Sequence, residues 1–121
     1  MEKKILVVDD DAMNLRMAEF ILKKAGYEVQ KASSGEECLG MLAAELPELV
    51  LLDIEMPVMN GFEVMEKIKE HEEWAGLPVA FLSADMDDET QEKAGKLGVT
   101  AYITKPFLPD TLCAKVADIL K

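Results

Sequence analysis

Short aliphatic runs alternate with longer stretches of helical spacing five times along this chain, and few folds accommodate such a repeat. The runs are Ile5–Val8, Tyr27–Ala32, Leu49–Leu52, Val79–Leu82 and Ala101–Ile103. A βα order repeated five times predicts a parallel sheet with helices packed on both faces. The 121 residues suit one compact domain spanning 1–121, with no linker, repeat or low-complexity segment expected within it.

The runs themselves differ. Ile5-Leu6-Val7-Val8 and Leu49-Val50-Leu51-Leu52 are continuously apolar, as strands covered on both faces must be. Tyr27-Glu28-Val29-Gln30-Lys31-Ala32 alternates apolar and polar, the pattern of an edge. The first, third and fourth strands therefore belong inside the sheet and the second at its rim.

Between the strands, Leu15, Ala18, Leu22 and Ala25 form one helical stripe, with Gly26 where a C-terminal cap is wanted. Ser34-Gly35-Glu36-Glu37 predicts a capping box on the second helix. Asn60-Gly61 precedes a third helix containing Phe62, Met65 and Ile68. Asp87 and Asp88 suit the start of a fourth helix, Glu89–Leu97, whose apolar content (Ala94, Leu97) predicts loose packing. Pro109 suits the first turn of a fifth helix carrying Leu112, Val116, Ile119 and Leu120.

Charge and composition remove several functions. A net charge of −11 excludes a nucleic-acid surface, which needs a basic patch, and fits a cation or a basic partner. No apolar run approaches the roughly 20 residues that span a bilayer. Met1-Glu2-Lys3-Lys4-Ile5 leads straight into a strand without a signal-peptide pattern. Cys38 and Cys113 lack metal-ligand spacing and read as reduced thiols, so the expected location is cytoplasmic, away from membranes.

Acidic residues gather at strand ends. Asp9-Asp10-Asp11 ends the first strand and Asp53 ends the third. In an open parallel sheet, ligands bind beyond the carboxyl ends of the strands, where the connections diverge. Neighbouring first and third strands would bring Asp9, Asp10 and Asp53 together. Clustered carboxylates repel each other, and a hard divalent cation such as Mg²⁺ resolves the conflict. Taken singly, these aspartates are equally good helix caps or turn formers, and Asp10 or Asp11 can cap the first helix in either case. Phe81-Leu82-Ser83-Ala84 adds a hydroxyl and a small residue after the fourth strand, and Thr104-Lys105-Pro106-Phe107 adds an ammonium after the fifth. A lone strand-end serine or lysine is ordinary surface; their placement at the same sheet edge as the acids suggests a phosphate site.

In this order and spacing, Val7-Val8-Asp9-Asp10, Leu52-Asp53-Ile54-Glu55-Met56-Pro57 with Asn60-Gly61, Leu82-Ser83-Ala84 and Lys105-Pro106-Phe107 are similar to the response-regulator receiver domains of two-component signalling. The resemblance covers essentially the whole chain. It implies a flavodoxin-like, doubly wound (βα)5 three-layer α/β sandwich with a sheet of order 2-1-3-4-5. Helices one and five would lie on one face, and two, three and four on the other. It implies Asp53 as nucleophile and phosphoacceptor, with Mg²⁺ (or Mn²⁺ or Ca²⁺ as substitutes) held by Asp9, Asp10, Asp53 and the backbone carbonyl of Glu55. Ser83 and the Ala84 amide would bind the phosphoryl group, Lys105 would pair with Asp53 or its phosphate, and the Lys105-Pro106 peptide would be cis.

The resemblance further implies a switch rather than a turnover enzyme. Tyr102 would be the switch aromatic, and the fourth helix, fifth strand and fifth helix the readout surface. The phosphoryl donor would be a sensor histidine kinase or a histidine phosphotransfer protein, and the output an unnamed partner or domain, with the chain a monomer or a weak phosphorylation-dependent dimer. Ser83 stands where threonine is commoner. Glu55 and Asp85 lie two residues after Asp53 and Ser83, where the family tunes phosphoryl lifetime, and both are acidic here. Asn14 resembles receivers attached to sensor kinases.

Two rival readings meet obstacles. A haloacid-dehalogenase-like phosphatase also uses an aspartate nucleophile after an apolar strand, but its second acid is aspartate where Glu55 stands, and Asp9 and Asp10 would have no role. A flavodoxin-like cofactor carrier needs a phosphate loop after the first strand that is missing here. Most of Met13, Met17, Met41, Met56, Met59, Met65 and Met86 read as core filler or loop residues, and His71 as a solvated helix end near Trp74.

Overall fold

The computed structural model describes residues 3–84 and 87–121. Five strands, β1 (Lys4–Val8), β2 (Glu28–Ala32), β3 (Leu49–Asp53), β4 (Val79–Ser83) and β5 (Ala101–Thr104), form one sheet of order β2-β1-β3-β4-β5. All neighbours pair in parallel. The helices are α1 (Ala12–Lys24), α2 (Gly35–Ala44), α3 (Gly61–Lys69), α4 (Asp88–Leu97) and α5 (Pro109–Ile119), with a 3-10 turn at Glu72–Trp74. The predicted fold class and strand order hold, with β2 and β5 as the edges.

Side-chain alternation along each strand divides the core in two. Ile5, Val7, Leu49, Leu51, Ala80, Leu82 and Ile103 pack against Leu15, Ala18, Ile21 and Leu22 of α1 and Leu112 and Val116 of α5. Leu6, Val8, Val50, Leu52, Val79 and Phe81 face α2, α3 and α4. Each buried Val, Leu, Ile or Phe contributes about 1.5–3 kcal/mol, so β1, β3 and β4 form the rigid part of the molecule. Among its described residues α4 buries only Ala94 fully, which leaves it the most weakly anchored helix. Its outer supports are the Lys93 ammonium 4.3 Å above the Phe62 ring and the Tyr102 hydroxyl, which donates to the Gln91 carbonyl at 2.5 Å. Phe62 in turn meets Phe81 edge to face at 5.5 Å.

Local expectations fare unevenly. Asp11, not Asp10, caps α1, accepting from the Met13 amide. Ala25 is exposed, and Ile21 takes its place on the buried stripe, because the helix stops at Lys24 and turns through Gly26 at φ 100°. Ser34 caps α2 by accepting from the Glu37 amide, but the Glu37 carboxylate reaches past it to the Ser33 amide, so the box is only half formed. A complete capping box occurs at Asn60 and Glu63 on α3. Asp87 caps α4 and Pro109 opens α5. Met56 and Met65 are core residues, whereas Met13 and Met17 are exposed on α1, contrary to the filler reading; Met86 lies outside the described residues. His71 is exposed and stacks on buried Trp74 at 4.0 Å.

Candidate functional site

Sheet register determines what meets at the carboxyl edge. Val8 pairs with Leu52, so the next residues along, Asp9 and Asp53, lie side by side. Asp53 pairs with Leu82 and Ser83 with Thr104, which places Ser83 and Lys105 just beyond the acids. The backbone fixes these positions: the Ile54 amide donates to the Leu82 carbonyl at 3.0 Å, and the Lys105 amide to the Ser83 carbonyl at 2.9 Å.

Asp9, Asp53 and Ser83 are the buried polar residues of the described chain, each at most 1% exposed. Lys105 Nζ lies 2.8 Å from Asp53 Oδ1 and 3.1 Å from Asp9 Oδ2. Burial pushes the Asp53 carboxyl up to about 7; Asp9 and Glu55 add to the rise, and Lys105 opposes it. Burial works to lower the Lys105 ammonium, but its hydrogen bonds and charge attraction to Asp53 and Asp9 prevail and hold it above its usual value. The cation therefore stays charged between the two acids.

Asp9, Asp10 and Asp53 each offer a carboxylate oxygen, and these atoms lie within 4.8 Å of one another. Asp9 and Asp53 are buried and Asp10 is exposed. Three carboxylates face one ammonium, which leaves an excess of negative charge around an all-oxygen donor set. That chemistry suits Mg²⁺, which prefers carboxylate and water oxygens to nitrogen or sulfur.

Asp9 is further held by the Asp11 amide at 2.9 Å and by Asn14 Nδ2 at 3.2 Å. The Glu55 amide donates to Asp53 Oδ1 at 3.2 Å. The Glu55 side chain accepts from Ser83 Oγ at 2.7 Å. Ala84 is exposed just past β4, Tyr102 is half-buried on β5, and the Lys105–Pro106 peptide is cis. Asp85 lies outside the described residues. Sequence reasoning missed the contacts of Asn14 with Asp9 and of Glu55 with Ser83. A polar residue in the first turn of the helix leaving the acidic cluster was the available signal for the first. Glutamate just past β3, beside the serine that ends β4, was the signal for the second.

Gly61 makes this geometry possible. A Cβ there would lie 2.7 Å from the Asp53 carbonyl oxygen and 2.8 Å from the Ile54 Cα, both backbone atoms. The start of α3 thus packs directly onto the end of β3, and the Gly61 amide donates to the Ile54 carbonyl at 2.9 Å.

Comparison with known proteins gives the same picture over the whole chain. The family model described as the response regulator receiver domain matches residues 5–117. The alkaline phosphatase synthesis transcriptional regulatory protein PhoP of Bacillus subtilis is 38% identical over 122 residues, covering 100% of this chain and 50% of that protein. The chain thus spans about half the length of the curated relatives it matches. Among solved structures, chemotaxis protein CheY4 of Vibrio cholerae superposes with a TM-score of 0.95 at 30% identity, covering 99% of this chain and 100% of that one. A CheY-like response regulator receiver domain protein from Methanospirillum hungatei gives 0.90 at 33% identity, covering 99% and 94%. The match over residues 5–117 sets aside the phosphatase and cofactor-carrier alternatives. The chain belongs to the response regulator receiver domains.

Proposed function

We propose that this receiver accepts a phosphoryl group on Asp53 from a phosphohistidine donor, a sensor histidine kinase or a histidine phosphotransfer protein, and signals through α4, β5 and α5. The observation that carries this reading is the environment of Asp53, a buried carboxylate touching Lys105 at 2.8 Å and grouped with two further carboxylates. Asp9, Asp10, Asp53 and the Glu55 backbone carbonyl would hold Mg²⁺. When bound, the metal supplies positive charge to the phosphoryl oxygens.

The chain's own residues do the rest. An Asp53 carboxylate oxygen attacks phosphorus, the phosphorus–nitrogen bond of the donor breaks, and the electron pair leaves with the imidazole. Phosphoryl transfer depends on positioning and charge neutralisation more than on covalent assistance. Lys105 keeps Asp53 oriented and then pairs with the charge that the phosphoryl group brings. Asn14 and the Asp11 amide fix Asp9. Ser83 and the Ala84 amide bind the product, and Tyr102 exchanges its tie to α4 for an inward position. Hydrolysis reverses the gain: water attacks phosphorus and the Asp53 carboxylate leaves. Glu55 and Asp85 tune water access to that step. The chain is a self-phosphorylating and self-dephosphorylating switch.

No helix among the described residues is long and apolar enough to cross a membrane, and the reduced thiols support a cytoplasmic site of action. The net charge of −11 supports output through protein contacts rather than through nucleic acid bound by this domain. The curated relatives are transcriptional regulators about twice as long, so an attached output domain is compatible with the same switch. The test is incubation with acetyl phosphate and Mg²⁺. An acid-stable, base-labile acyl phosphate is expected in the native protein and none in Asp53→Ala. Its absence from the native protein, or its persistence in the variant, contradicts the proposal.

A further inference from the structure

The hydroxyl that would receive the product is already engaged. Ser83 is fully buried and donates to Glu55 Oε1 at 2.7 Å. A serine hydroxyl carries one proton, so while that proton is on Glu55 it is denied to any other acceptor. A hydrogen bond from a hydroxyl to a carboxylate is short and roughly twice as strong as a neutral one. The turn that carries Glu55 is itself tied to the acceptor, since the Glu55 amide donates to Asp53 Oδ1 at 3.2 Å.

We infer that Glu55 is a positioning residue that latches the Ser83 hydroxyl in the resting state, so that Ser83 can close on the phosphoryl group only after the Glu55–Ser83 bond is broken. A phosphoryl group on Asp53 brings nearly two negative charges next to the Glu55 carboxylate. Repulsion then drives Glu55 outward into solvent, where it is already exposed. The charge that arrives thus opens the latch and supplies the new acceptor for the freed proton. This role concerns the threshold for switching, separate from any effect of Glu55 on water access. It rests on the phosphoacceptor reading of Asp53.

Beryllofluoride with Mg²⁺, a stable stand-in for the acyl phosphate, separates the two. Its affinity is measured by fluorine NMR in the native protein, Glu55→Ala, Ser83→Ala and the double variant. Glu55→Ala is expected to bind about fivefold more tightly than native. In the Ser83→Ala background the same substitution is expected to gain about twofold or less, the remainder being plain charge repulsion. Equal gains in both backgrounds, or no gain in either, overturn the latch alone. Failure of the native protein to bind beryllofluoride overturns the phosphoacceptor reading and the latch with it. Three-bond couplings of Ser83 in the free protein give a second check without touching the serine: one rotamer in native, averaging in Glu55→Ala. A single unchanged rotamer in the variant overturns the latch.

Discussion

Lys105 Nζ lies 2.8 Å from Asp53 Oδ1, yet burial still holds the Asp53 carboxyl at about 7. One ammonium shared between two buried acids does not fully repay their desolvation. A carboxyl raised above its unfolded value of 3.8 stabilises the fold below that value, and the contribution is lost as pH rises through about 7. Metal-free protein therefore carries a penalty at pH 8 that is absent at pH 4. Melting curves with Mg²⁺ against EDTA are expected to show a larger upward shift at pH 8 than at pH 5. A shift that is the same at both values, or absent, contradicts the account.

Gly61 and Gly40 offer a matched pair. Alanine at Gly61 drives a methyl into the backbone of Asp53 and Ile54, with an expected loss of roughly 1–3 kcal/mol and a displaced Asp53 carboxylate. Gly40 lies in the interior of α2 with open space around it, so Gly40→Ala is expected to stabilise by roughly 0.5–1 kcal/mol. Urea unfolding measures both. A Gly61→Ala protein of native stability that accepts phosphoryl groups at the native rate would show that the close approach is dispensable.

Val58 sits at φ 68° and is 93% exposed in the loop between β3 and α3. A β-branched residue in the left-handed region is strained, and no burial compensates it. Asparagine tolerates that conformation, so Val58→Asn is expected to stabilise by about 1 kcal/mol. Thermal and urea denaturation report the change; a destabilised Val58→Asn protein would mean that the valine makes a contribution its exposure conceals.

The two thiols differ sharply in environment. Burial pushes Cys38 up to about 12, while Cys113 is half-buried beside α1. A thiol reagent at pH 8 is expected to label Cys113 first and Cys38 only at the rate of global unfolding. Mass spectrometry of the labelled peptides distinguishes them, and rapid labelling of Cys38 in the native protein would contradict the tight packing under α2.

Strand order and strand-end acids were legible because both depend on backbone pattern. Continuous apolar runs identify β1 and β3, and an aspartate after such a run has few places to go but the carboxyl edge. Contacts between side chains of different elements were not legible. Glu55 meets Ser83 and Asn14 meets Asp9 through rotamers that no spacing rule specifies. Glu37 follows Ser34 at the right interval for a capping box, yet its carboxylate finds the Ser33 amide instead. Met13 and Met17 fit an apolar helical pattern, but the buried side of α1 is already filled by Leu15, Ala18, Ile21 and Leu22. The left-handed turn at Val58 runs against local preference, since position 58 carries a β-branched residue where glycine or asparagine would announce it.

The cation of the site comes from the last strand of the sheet, whereas its acids come from the first and third. During synthesis, a chain that has left the ribosome only as far as α4 holds every carboxylate of the cluster and the serine hydroxyl, but no ammonium to set against them. The balance of charge at this sheet edge is therefore completed only once β5 and Lys105 have joined the sheet.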